Sequence, residues 1–262
     1  MNKEGKKLKL FIDTADNRLK IILSKLKKQN FEVYEVNEAT ITLATAGDAF
    51  IYSPVKKFTN TELLNFANGV TIFAGTPLEN LTQICKEKGI NFVNYLSYET
   101  FSIKNANLTS EGILAKILEL SPKSIYENKI LILGYGRCGK ALATILNKLN
   151  VNFAICDYDK SNYENAFFIT NQVYFKNAFF RHLNKFDVIV NTIPHQIISD
   201  KNALKINKDA IYLEIASMQS LSNNSASILN YHKLPALPSK YSPLTASNLL
   251  LEVIGSNLNL KL

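Results

Sequence analysis

Gly134, Gly136 and Gly139 stand at G-x-G-x-x-G spacing within Gly134-Tyr135-Gly136-Arg137-Cys138-Gly139. An apolar run from Ile130 to Leu133 leads into them, a helical pattern from Lys140 to Leu149 follows, and a second apolar run, Phe153 to Cys156, ends at Asp157. Strand, glycine turn, helix, strand and acid in that order form a dinucleotide-binding fingerprint. Each glycine meets a different demand. Gly134 allows a tight turn off the strand, Gly136 lets the backbone approach a diphosphate, and Gly139 lets the helix pack closely on the strand. The helix then aims free N–H groups and the positive end of its dipole at the phosphates. Asp157 lies where an acid receives the adenosine ribose hydroxyls. Arg137 reads as a diphosphate contact or as a solvent-exposed cation, and Tyr135 and Cys138 are loop residues beside the nucleotide. With both strands and the acid in place, nucleotide binding outweighs a structural turn without a ligand.

The segments that must position this loop run in order along the chain. Lys7 to Asp13 reads as a strand, Arg18 to Gln29 as an amphipathic helix, and Phe31 to Val36 as a second strand. Ala49–Ser53, Gly69–Phe73 and Ile90–Tyr95 follow as strands, with helices over Thr59–Asn68 and Pro77–Lys88. These alternations predict a doubly wound domain over residues 1–104. Its first turn lacks the glycine fingerprint, so no second nucleotide is expected there. Asn105 to Leu120 predicts a helix with Thr109 or Ser110 as N-cap, within a connecting segment 105–127. Such a helix could turn Thr109, Glu111 and Gly112 toward a substrate, the plainer reading of Ser110 and Glu111 being capping. A second domain, 128–242, continues with strands at Gln172–Phe175, Asp187–Asn191, Ala210–Ile215 and Lys233–Leu237. The loop Thr192-Ile193-Pro194-His195 follows a strand's carboxyl end, which puts Thr192 and Pro194 beside a nicotinamide ribose. A final helix, about Thr245 to Leu258 within 243–262, is expected to pack back across a cleft between the domains. The fold class is α/β: two doubly wound parallel-sheet domains, the second a Rossmann NAD(P)-binding domain.

Composition narrows the function. The 262 residues carry a formal charge of +8, but the lysines are scattered and three of the thirty basic residues are arginine, so a nucleic-acid surface is not expected. No apolar stretch reaches membrane-spanning length and no signal sequence is visible, which predicts a cytoplasmic protein. Cys85, Cys138 and Cys156 have no metal-ligand spacing and read as reduced thiols, with no metal expected.

Five segments in order resemble the dipicolinate synthase A subunit family of endospore formation. They are NANLTSEG at 105–112, LGYGRCGKALA at 133–143, VNTIP at 190–194, EIAS at 214–217 and ALPSKYSPLTA at 236–246. Asp16 and Arg18 are similar to an acid and an arginine that follow that family's first strand. The chain departs from the family at Leu108, at Met218-Gln219-Ser220-Leu221, at Thr14-Ala15, and at Ala236 and Ser239, where the family has proline, proline-glycine-glycine or glycine.

The resemblance implies an NAD(P)-dependent oxidoreductase that oxidises dihydrodipicolinate to the aromatic pyridine-2,6-dicarboxylate, partnered by the dipicolinate synthase B subunit. A homo-oligomer is compatible with the sequence. Such a reaction needs the ring and its two carboxylates held within reach of the nicotinamide. Arg18, Lys240, Thr109 and Thr245 supply cations and hydroxyls for the carboxylates, and His195 is the nominee for proton acceptor. Asp157 would repel a 2′-phosphate, which favours NAD, although Lys160 is near enough to compensate. Two alternatives stay open: another two-domain dehydrogenase of a small hydroxy or amino acid, and a catalytically inactive nucleotide-binding paralogue.

Overall fold

A computed structural model describes residues 7–75 and 81–262. The chain divides into two compact units, one formed by the chain through Asn105 together with Pro238–Leu262, the other by Ala106–Leu237.

In the first unit, β1 (Lys9–Ile12), α1 (Asn17–Lys28), β2 (Glu32–Glu35), α2 (Glu38–Ile41), β3 (Ala49–Ile51), α3 (Asn60–Leu64), β4 (Thr71–Ala74), α4 (Leu81–Glu87) and β5 (Asn91–Asn94) alternate. The strands form a parallel sheet in the order β2-β1-β3-β4-β5. Asp16 caps α1 by accepting from the Arg18 N–H, the apolar stripe Leu19, Ile22, Leu23 and Leu26 is buried, and Lys25, Lys27 and Lys28 complement the dipole at the helix end. A capping box between Thr59 and Glu62 starts α3. One side of the sheet carries an aromatic core in which Phe11 stacks on Tyr34 and Phe50, and Phe50 and Tyr52 meet Phe66 edge-on. The expected helix over Pro77–Lys88 begins outside the described residues, and its remainder is α4.

The helix α5 (Glu99–Leu120) leads from the first unit into the second. It starts six residues before the expected Asn105 and is unbroken, so Thr109 and Ser110 are interior positions rather than caps. Buried Phe101, Ala106 and Leu108 carry it through the polar stretch. The Ser110 hydroxyl donates to the Asn107 carbonyl at 2.7 Å, the backbone bond of a mid-helix serine.

The second unit contains β6 (Ile130–Leu133), α6 (Arg137–Lys148), β7 (Phe153–Asp157), α7 (Lys160–Ala166), β8 (Val173–Phe175), β9 (Val188–Asn191), α8 (Asp200–Ala203), β10 (Ile211–Glu214), α9 (Asn223–Ile228) and β11 (Asn230–Lys233). Its parallel sheet runs β11-β10-β9-β6-β7-β8. Both expected doubly wound sheets are therefore present. Strand β11 lies earlier than the expected Lys233–Leu237. The chain also returns to the first unit after Leu237, not at 242, through α10 (Leu237–Tyr241) and α11 (Pro243–Leu258). Pro243 begins α11 at a position where its missing N–H costs nothing. Within its unit α11 packs on α1, with Lys25 Nζ 2.5 Å from Asn248 Oδ1, and it pairs Glu252 with Lys104 at 2.9 Å. No helix among the described residues is long and apolar enough to cross a membrane.

Candidate functional site

In the second sheet the chain steps from β6 outward to β7 and β8, then returns past β6 to β9. The carboxyl ends of β6 and β9 thus flank a topological switch point, where open α/β sheets receive ligands. The three glycines of the turn behave differently there. Gly134 has φ +96°, and a Cβ on it would lie 2.4 Å from Thr192 Oγ1 and 2.9 Å from Ile193 Cγ1. A Cβ on Gly139 would fall 1.9 Å from the Gly134 carbonyl oxygen and 3.5 Å from Ile132 Cγ2, which measures how tightly α6 sits on β6. At Gly136 a Cβ would meet no described residue within 4 Å. Gly136 is also the N-cap of α6 and offers no side-chain cap, so the helix begins on exposed backbone beside open space.

Asp157 pins this turn. One carboxylate oxygen accepts the Tyr135 N–H at 2.5 Å, the other accepts the Asp159 N–H at 2.7 Å, and the residue is 7% exposed. Thr192 closes the other side by donating its hydroxyl to the Leu133 carbonyl at 2.9 Å. The Tyr135 ring is buried with Lys140 Nζ 5.5 Å from its centroid, and burial raises the pKa of its hydroxyl. Burial also raises the Cys138 thiol, more than Arg137 lowers it, so Cys138 stays a thiol. Arg137, Pro194 and His195 are exposed, and the His195 ring stands edge-on to Tyr158 at 6.5 Å.

A buried polar network that sequence reasoning did not single out supports the Thr192 loop. Glu214, wholly buried at the end of β10, accepts from Asn191 Nδ2 at 2.6 Å, from the Ser220 N–H at 2.8 Å and from the Ser220 hydroxyl at 2.5 Å. Ser220 and Tyr212 share a further hydrogen bond of 2.7 Å. Asn191, at the end of β9, uses its amide to hold both the carbonyl and the N–H of Ile193. The signal in the sequence is a polar residue ending each of two adjacent apolar strands.

In the first unit Arg18 is 2% exposed and forms a two-pronged pair with Asp16, Nε to Oδ1 at 3.0 Å and Nη2 to Oδ2 at 2.6 Å. Ser53 and Ser239 also donate to Asp16, at 2.8 and 2.7 Å. Burial alone would raise the Asp16 carboxyl, but the Arg18 bonds and charge, with Ser239 and Ser53, hold it well below the usual range. That edge of the Arg18 guanidinium is therefore already neutralised. The Tyr95 hydroxyl, wholly buried and without a hydrogen-bond partner among the described residues, feels both charges. Lys240 and Thr245 are exposed in this unit, Lys240 with its Nζ 5.1 Å above the Tyr241 ring. Thr109 is buried and Glu111 exposed on α5. The structure thus gathers the glycine turn, Asp157 and Thr192 in one unit, and Arg18, Lys240 and Thr245 in the other. Among the described residues no three His, Cys, Asp or Glu side chains cluster as metal ligands.

No family model matches the chain. It is 21% identical over 187 residues to the dipicolinate synthase A subunit of Bacillus subtilis, an alignment covering 70% of this chain and 63% of that relative. The solved dipicolinate synthase A chain from Bacillus subtilis superposes with TM-score 0.78 at 18% identity, over 97% of this chain and 96% of that one. The dipicolinate synthase A subunit from Bacillus halodurans gives TM-score 0.83 at 17% identity over 96% and 98%. A transhydrogenase from Sinorhizobium meliloti gives 0.68 at 12% over 95% and 93%. The fold is that of Rossmann-type dehydrogenases, and the chain resembles, as a divergent relative, the A subunit of dipicolinate synthase.

Proposed function

We propose that this chain is a cytoplasmic NAD(P)-dependent oxidoreductase of the dipicolinate synthase A kind, oxidising dihydrodipicolinate to dipicolinate during endospore formation. The observation that carries the nucleotide part is the open backbone at Gly136, at the uncapped start of α6. Backbone N–H groups and a dipole end aimed into open space suit a diphosphate. A bound nicotinamide dinucleotide would supply the hydride acceptor. The chain's own residues do the rest. The first turn of α6 holds the diphosphate, and the Thr192–Ile193 segment, fixed by Asn191 and Glu214, walls the nicotinamide side. Asp157 accepts the ribose hydroxyls with the lone pairs left by its two backbone bonds. A buried carboxylate at that position disfavours a 2′-phosphate, so NAD is the proposed cofactor.

For the substrate, Arg18, Thr109, Glu111, Lys240 and Thr245 are the proposed contacts, and His195 takes the ring proton. Loss of that proton and of a hydride aromatises the ring, which supplies the driving force. The family likeness supports a dipicolinate synthase B subunit as partner. Fluorescence titration with NADH and NADPH, followed by ultraviolet detection of dipicolinate from a coupled dihydrodipicolinate supply with and without that partner, tests the proposal. NADH bound more tightly than NADPH, with dipicolinate formed, is the expected result. Nucleotide binding without turnover would favour an inactive paralogue, and no binding would remove the enzyme reading altogether.

A further inference from the structure

The first unit has a switch point of its own. Its chain runs from β1 outward to β2 and then back past β1 to β3, so the carboxyl ends of these strands diverge. They flank a half-open cavity of about 320 Å3, in the size range of small-ligand pockets. Asp13 follows β1, Glu38 stands on α2 after β2, and Tyr52, Lys56, Phe58 and Glu62 come from the segment after β3.

Three features of this lining point to one kind of occupant. Tyr52 is 5% exposed, its ring meets Phe58 edge-on at 4.9 Å, and its hydroxyl makes no hydrogen bond among the described residues. The Tyr52 ring is nearly buried while its hydroxyl keeps surface open to the cavity, where a ligand could pair with it. In a chain of net charge +8, moreover, the described residues that line the cavity include three carboxylates, Asp13, Glu38 and Glu62, against one cation, Lys56. Lys56 itself shows what the wall accepts, since its ammonium sits 2.6 Å from the Glu62 carboxylate and 5.1 Å from the centre of the Phe58 ring. Glu62 is thereby occupied, and it also closes the α3 capping box. Among the described residues the Asp13 carboxylate accepts only the Ala15 N–H, at 3.1 Å. Burial, with the charges of Asp13 and Glu62, raises the pKa of Tyr52, so its hydroxyl remains protonated with an oxygen able to accept.

We propose that this cavity binds a small organic cation, an ammonium on a compact apolar body, with Asp13 as its counter-ion and the Tyr52 hydroxyl accepting from it. The carboxylates exclude a dicarboxylate, so this is a second ligand site and not another position for the proposed substrate.

The test is backbone-amide NMR of the intact chain at neutral pH, titrated with 2-phenylethylammonium and, in parallel, with 3-phenylpropionate. The ammonium should shift the amides of Asp13, Tyr52 and Phe58 saturably, and the carboxylate should leave them in place. Asp13→Asn should weaken the ammonium about tenfold, the scale of one charged hydrogen bond, and Tyr52→Phe should weaken it less, both with NADH affinity unchanged. Equal affinity for the two probes, no saturable shift, or indifference to Asp13→Asn would overturn the proposal. Should Asp13→Asn disturb the spectrum at large, Tyr52→Phe and Glu38→Gln make the same comparison. Failure of NADH binding with the ammonium still bound would count against the nucleotide proposal alone.

Discussion

Two glycines three residues apart make opposite predictions. Gly136→Ala places its methyl in open space on a backbone with φ −77°, so the melting temperature should stay put while NADH affinity falls about tenfold or more. Gly139→Ala drives a methyl against the Gly134 carbonyl and should cost about 3 kcal/mol, read as a lower denaturation midpoint. If Gly136→Ala bound NADH normally, no diphosphate would lie on that backbone. In the other unit, Asp16→Asn leaves Arg18 buried without its counter-charge and should destabilise by about 3 kcal/mol. Because the folded-state pKa of Asp16 is depressed, its contribution is full above the ordinary carboxylate range and is lost as pH falls below about 4. The variant should therefore flatten the acid limb of the stability–pH curve. The glycines were legible because lacking a side chain is a property of a single residue. The Asp16 cluster was only half legible, since Ser53 and Ser239 reach it from 37 and 223 positions away.

Elements were legible in proportion to their burial. Strands β6, β7, β9 and β10 are buried along their whole length, and both faces of a covered parallel sheet demand uninterrupted apolar runs. Edge strand β11, Asn-Tyr-His-Lys, is half exposed and carries no such signal, so the apolar pattern points past it. The start of α5 is hidden because Asn105 to Ser110 mimics a capped beginning, whereas neighbouring buried side chains continue the helix through it. At this level the Glu214 network ties the ends of β9 and β10 together. Glu214→Ala strands the Ser220 N–H and the Asn191 amide, which should cost about 2 kcal/mol and also weaken NADH through the Thr192–Ile193 segment. Leu250→Ala, on the wholly buried side of α11, should cost about 3 kcal/mol without changing NADH affinity. Chemical denaturation and nucleotide titration check both variants.

Across the whole molecule, the two sheets, their parallel strands and the glycine turn followed from local pattern, and the unit boundary did not. Pro238 to Leu262 reads as a continuation of the second unit because it follows that unit in sequence. Only its partners, α1, Asp16 and Tyr98, assign it to the first. That interrupted layout bears on biosynthesis. As the chain leaves the ribosome, the uninterrupted stretch Ala106–Leu237 has all of its strands at hand before the earlier-made unit receives its last helix. The stretch translated first is thus completed last, and contacts across more than two hundred residues close slowly. Pulse-labelled hydrogen exchange during refolding should find β6 and β9 protected ahead of α1. Simultaneous protection would mean that residues 7–105 reach their final packing before α11 docks.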